Sequence, residues 1–105
     1  MSKRLAYLEK LTSEGATDPF VWYGLALEYK TLGRLDDALR TFTSLRERAP
    51  DYVPMYLMCG QMLADAGKSD ARGWLEAGVT VARAKRDTHA LGEIEAALDA
   101  LGPAS

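Results

Sequence analysis

Residues 19–50 read PFVWYGLALEYKTLGRLDDALRTFTSLRERAP. Two apolar stripes run through this stretch. Trp22, Leu25, Ala26 and Tyr29 recur at spacings of three and four, and Leu35, Ala38, Leu39, Phe42, Leu45 and Ala49 form a second stripe. Such spacing places one face of a helix against a core. Asp18 is a good N-cap, and Pro19 at the first helical position loses no needed hydrogen bond. Gly33 suits the left-handed residue that closes a helix. Pro50 cannot continue the second helix and pushes Ala49 out of helical geometry. The stretch therefore predicts a hairpin of two helices, over about 19–32 and 35–49. The same plan starts again at Val53, which is 34 residues after Pro19 (53 − 19). A helical hairpin with this period indicates a stack of like units, because one hairpin alone cannot bury its outer face.

Further helices follow on both sides. Lys3 to Ser13 carries Leu5, Leu8 and Leu11, with Tyr7, on one face; Ser2 is placed to cap it and Gly15 to end it. Val53 to Ala66 has Pro54 in its first turn and Gly67 after it, with Tyr56, Cys59, Gly60 and Leu63 in the places of Trp22, Leu25, Ala26 and Tyr29. The fifth helix is expected from about Ser69 to Ala84 or a little further, since no proline closes it. Ala71, Leu75, Gly78 and Ala82 share its face, with Trp74 and Val81 beside it. Gly78 on that face suits the close approach of another helix, whereas Gly73 has no such reason and costs helix stability. Thr88 to Leu101 carries Leu91, Ile94, Leu98 and Leu101; Asp87 or Thr88 caps it, and Gly102-Pro103 stops it. No strand pattern is visible.

Trp22, Ala26, Tyr29, Gly33, Ala38, Phe42 and Pro50 together resemble the tetratricopeptide repeat. Ala26 stands where that pattern usually has glycine, a small residue for a small one. In the second repeat, Ala71 and Leu75 match Ala38 and Phe42 only if one residue is deleted after Gly67. The resemblance implies one all-α domain of antiparallel helical hairpins, stacked as a short right-handed solenoid of six helices. Its parts are a half-repeat helix over 3–14, repeats over 19–52 and 53–86, and a capping helix over 88–101. Ala26 and Ala38 mark where the two helices of a hairpin cross.

Composition excludes several classes. The 13 Lys+Arg and 15 Asp+Glu leave a net charge of −2, which provides no basic face for nucleic acid. A single cysteine, Cys59, rules out an internal disulfide and suits a reducing compartment. The N-terminal MSKRLAYLEKL lacks the apolar core of a signal peptide, and no run is long enough to span a membrane. A cytoplasmic protein is expected. His89 has no Cys, His or Asp partner at ligand spacing, so no metal is expected, and no glycine-rich phosphate loop points to a cofactor. Cys59 reads as a buried structural thiol. Met55 and Met62 read as core, while Met58 is open between core and surface. No cluster of polar residues suggests an enzyme.

Function is carried by the first helices of the repeats, whose concave faces hold ligands in the family that the sequence resembles. The resemblance places Phe20, Tyr23, Leu27, Lys30 and Thr31 there, followed by Pro54, Leu57, Gln61, Ala64 and Asp65. Members that grip a C-terminal carboxylate use Lys and Asn where this chain has Tyr23 and Leu27, so that ligand is not implied. The expected partner is a protein or peptide with an apolar face, bound without catalysis. The other expectation is self-assembly, with the groove filled by a second copy. Folding is expected to make no use of Phe20, Tyr23, Leu27 and Leu57.

Overall fold

A computed structural model describes residues 2–103. Among the described residues there are six helices and no strand: α1 (Lys3–Ser13), α2 (Pro19–Thr31), α3 (Leu35–Arg48), α4 (Val53–Asp65), α5 (Ala71–Ala84) and α6 (Thr88–Leu101). They divide into two compact units, Met1–Ala49 and Pro50–Ser105. In the first, α2 packs on α3 and α1 on α2; in the second, α4 packs on α5 and α6 touches both.

The first unit begins with its caps. The Ser2 hydroxyl accepts from the Leu5 amide at 3.1 Å, and Asp18 accepts from the Phe20 amide at 2.9 Å. Ala26, Ala38, Phe42 and Leu45 lose all their exposure in this fold, and Leu25 and Tyr29 are buried with them. Leu5 and Leu8 seat α1. Polar contacts then hold α1 on α2. The Ser2 hydroxyl donates to Glu28 at 3.0 Å, Arg4 pairs with Glu28 at 3.3 Å, and the Tyr29 hydroxyl donates to Glu9 at 2.5 Å.

Two aromatic residues differ from expectation. Tyr7 is 62% exposed. It sits roughly a third of a turn round the helix from the centre of the Leu5–Leu8 edge, too far to share its burial. Trp22 is half-buried rather than core. Its indole N–H donates to the Ala16 carbonyl at 2.8 Å, and the Arg48 guanidinium lies 4.0 Å over its ring. The residue pins the entry to α2 and receives a cation on its open face. Leu35 is 38% exposed, because it is the first residue of α3 and borders the turn.

In the second unit Val53, Leu75, Ala82 and Ile94 form a cluster, with Leu57, Leu91, Leu98 and Leu101 among the side chains packed against it. Met55, Tyr56, Cys59 and Met62 are buried, and Met58 is half-buried. The Tyr56 hydroxyl donates to the Pro50 carbonyl, and its ring tilts against Trp74 at 6.1 Å. At Gly60 and Gly78 neighbouring side chains leave no room for a Cβ. A Cβ on Gly60 would lie 2.4 Å from Leu75 Cδ2, and one on Gly78 would lie 2.7 Å from Tyr56 Cβ and 3.1 Å from Ile94 Cδ1. Around Gly73 there is open space.

Helix α5 begins at Ala71, not Ser69; the Asp70 side chain makes no capping bond, and residues 69–70 form a turn. Nor does it run longer than α3, as both have 14 residues. Its end shows why. Helices α1, α2 and α4 close on Gly15, Gly33 and Gly67 at positive φ, each followed by an amide that reaches back five residues: Ala16 to Leu11 at 3.1 Å, Arg34 to Tyr29 and Lys68 to Leu63 both at 2.9 Å. Arg86 takes the same place after α5 with φ 57°, and Asp87 reaches back to Ala82 at 2.9 Å. An arginine thus does what glycine does at the other three ends.

Candidate functional site

Helix α2 sets Phe20, Tyr23, Leu27 and Lys30 in one row, at i, i+3, i+7 and i+10. Phe20 is 65% exposed, in the first turn just after the Asp18 cap. Tyr23 is half-buried and meets the edge of Phe42 with ring centres 6.5 Å apart. Leu27 and Lys30 are half-buried, and Lys30 sits in the last turn, where the helix dipole favours a cation. Thr31 ends the helix, exposed.

In the second unit, Leu57, Gln61, Ala64 and Asp65 lie on α4, after the exposed Pro54. Leu57 packs against the Val53–Ile94 cluster. The expectation that folding makes no use of these residues therefore fails at Leu57 and Tyr23, which both support the core beneath them. Gln61, Ala64 and Asp65 come together at a cleft of about 320 Å³. Its far wall is Ala97, Ala100 and Leu101 of α6, and the fully buried Leu75 of α5 is its floor. Sequence reasoning names no residue of α6 for the site, and the α6 wall of the cleft is the part that it misses. The signal for it is the small Ala97 and Ala100 flanking the leucine stripe.

A shallower hollow of about 520 Å³ lies along α3, at Asp36, Leu39, Arg40, Thr43 and Ser44. Asp37 beside it pairs with both Arg34 and Arg40. The Tyr29 hydroxyl is pushed up to about 12 by burial, with the bond to Glu9 and its negative charge adding to the effect. His89 is exposed and lies 3.0 Å from Glu93. Cys59 is buried and in no disulfide. Among the described residues no group of three His, Cys, Asp or Glu side chains could hold a metal ion, and no helix is long and apolar enough to cross a membrane.

The tetratricopeptide repeat domain protein from Salinibacter ruber has a solved structure that is 32% identical to this chain. The match covers 80% of this chain and 94% of that one, with a TM-score of 0.73. The chain belongs to the tetratricopeptide repeat family. The solution structure of a protein from Bordetella parapertussis superposes with a TM-score of 0.81 over 96% of this chain and 89% of that one; at 22% identity it speaks for the fold alone. No protein-family model matches the sequence, and no curated protein matches it. The tetratricopeptide repeat fold is generally a scaffold for protein interaction rather than an enzyme.

Proposed function

We propose that this tetratricopeptide repeat protein is a non-catalytic interaction module that binds an apolar peptide or a partner helix. The contact surfaces are the Phe20–Tyr23–Leu27–Lys30 row of α2 and the Leu57–Gln61–Ala64–Asp65 face of α4. Residues 19–52 and 53–86 are its repeats, 3–14 its half-repeat and 88–101 its cap. The observation that carries the reading is Phe20. Phe20 is 65% exposed and heads a row in which Tyr23 and Leu27 are only half-buried, so apolar surface lies open along α2. Such rows mark contact sites, and an amphipathic helix matches their spacing. A cytoplasmic setting fits the buried, unbridged Cys59.

A second reading is self-association. Among the described residues, the four exposed large apolar side chains, Tyr7, Phe20, Leu32 and Leu35, all lie in the first unit, which is where a second copy would attach. Light scattering over a concentration series separates the two readings. Phe20→Ser tests both, because the side chain is exposed and its loss leaves the core untouched. We expect its melting temperature to match wild type while partner capture from source-cell lysate, or self-association, weakens about tenfold or more. A folded Phe20→Ser protein that captures and associates like wild type would place the working surface elsewhere.

A further inference from the structure

The cleft between α4 and α6 has a chemistry that the α2 row lacks. Ala64, Leu75, Ala97 and Leu101 make it apolar within, while Gln61 and Asp65 stand exposed at its rim. Its volume of about 320 Å³ is at the bottom of the range of roughly 300–1,000 Å³ found for small-molecule pockets, so it suits one long side chain and not a larger ligand. Residues from the last turns of both helices line it: Asp65 ends α4 and Leu101 ends α6. A helix carboxyl end carries partial negative charge, which a basic residue in the last turn usually offsets. Neither α4 nor α6 has one of its own, and α6 alone is offset from outside, by the Arg72 guanidinium on the Gly102 carbonyl.

The charged groups nearby sharpen the picture. Among the described residues, Asp65 is in none of the ion pairs. The Arg72 guanidinium is engaged on the Gly102 carbonyl at 2.5 Å, and it closes the end of α6 without reaching for Asp65. Lys68 lies past the turn that follows α4, exposed. Asp99, in the last turn of α6, is not among the side chains that line the cleft. The cleft thus combines a greasy slot with one carboxylate at its rim, a pairing complementary to lysine and arginine, whose stems bury while the charged head stays at a polar edge.

We propose that this cleft receives a lysine or arginine side chain of the protein partner, its stem against Ala64, Ala97 and Leu75 and its head at Asp65 and Gln61. The proposal rests on the reading of the chain as an interaction module and adds to it the chemistry of one anchor. It departs from a purely apolar partner: the bound segment carries a cation at the second unit.

The test is a titration of ¹⁵N-labelled protein with the peptide acetyl-Ala-Ala-Arg-Ala-Ala-amide and with analogues that carry norleucine or glutamate at the centre. The arginine peptide is expected to move amides of 61–66 and 97–102 saturably, and to weaken in high salt. The norleucine and glutamate peptides should bind about tenfold more weakly or less. Asp65→Lys should lose the arginine peptide to a similar degree, and Asp65→Asn should lose part of it; both replace an exposed side chain and should melt as wild type. Equal binding of the arginine and norleucine peptides, shifts confined to other residues, unchanged binding in Asp65→Lys, or no binding of any peptide each overturns the proposal. Phe20→Ser keeps the two readings apart. If it loses its partner while the cleft ignores the arginine peptide, the interaction module stands and the cationic anchor falls. If it keeps its partner while Asp65→Lys loses the peptide, the cleft stands and the α2 row falls.

Discussion

At the seam of α2 and α3 the small residues are alanines, Ala26 and Ala38; at the seam of α4 and α5 the close approaches are at glycines, Gly60 and Gly78. The stripes repeat, Ala38, Phe42, Leu45 and the half-buried Ala49 against Ala71, Leu75, Gly78 and Ala82, at a shift of 33 residues (71 − 38). Their sizes do not repeat. Where the first hairpin has Leu45, the second has Gly78 with Tyr56 Cβ and Ile94 Cδ1 pressed over it. The first unit holds its outer helix by an apolar edge and a set of polar bonds from α1 to α2. The second holds α6 by letting Ile94 sink onto a glycine of α5. One repeat pattern therefore supports two ways of seating a neighbour: α1 lays Leu8 over Gly24 of α2 at ordinary contact distance and adds polar bonds, whereas α6 presses Ile94 onto Gly78 of α5.

The largest effect should come from removing what sits on that glycine. Ile94→Ala deletes a fully buried side chain, and such truncations cost about 2–5 kcal/mol. A urea melt showing less than about 1 kcal/mol would mean that α6 does not depend on Ile94 for its seat. Ala38→Leu tests the alanine seam. Ala38 is completely buried where α2 meets α3, so overpacking should cost about 1–3 kcal/mol, toward the upper end. An unchanged melting temperature would show slack in the first hairpin that the comparison denies.

A pair on α5 sharpens the contrast within one helix. Gly78→Ala should lower stability by about 1 kcal/mol or more, because the new Cβ would lie 2.7 Å from Tyr56 Cβ, which cannot swing away. Gly73→Ala meets open space and should raise stability by up to about 1 kcal/mol through helix propensity. Equal shifts for the two would erase the distinction between a packing glycine and an idle one.

A pH-dependent effect concerns the polar attachment of α1. Folding raises the Tyr29 hydroxyl from 10.0 to about 12, so the native state favours the protonated phenol. The sign follows: this contribution is complete below pH 10 and fades as pH rises toward about 12. Denaturant melts across that window should show wild type losing stability that Tyr29→Phe does not lose. Parallel curves for the two proteins would show that the Tyr29 hydroxyl contributes nothing to holding α1.

Helix positions were legible because their signals are local. Ser2, Asp18, Gly33, Gly67, Asp87 and Gly102 each act within one turn of where they stand, and the helices end within about two residues of them. Gly78 was legible too, since a glycine on a buried stripe costs helix stability that a closely packed neighbour offsets. Arg86 was not, because arginine carries no preference for a left-handed turn; only the bond from Asp87 back to Ala82 shows why the chain turns there. Tyr7 and Trp22 were misplaced for a related reason. Periodicity locates a stripe but not its width, and aromatic residues at its margin are settled by what lies beside them. The α2 row follows from the resemblance to the tetratricopeptide repeat, which assigns those positions to the concave face, and not from spacing alone. The α4–α6 cleft was half read: Gln61, Ala64 and Asp65 follow from the repeat, whereas Ala97, Ala100 and Leu101 join them only once α6 has docked.

The bond from Arg72 to the Gly102 carbonyl links positions thirty residues apart in sequence. Chain ends ordinarily fray first, opening at almost no free-energy cost. Here the last turn of α6 cannot unwind without releasing a guanidinium held on α5. Releasing that bond costs on the order of 1–2 kcal/mol, so amide exchange at Leu101 and Gly102 should be about tenfold slower than at an untethered helix end, and Arg72→Ala should restore it.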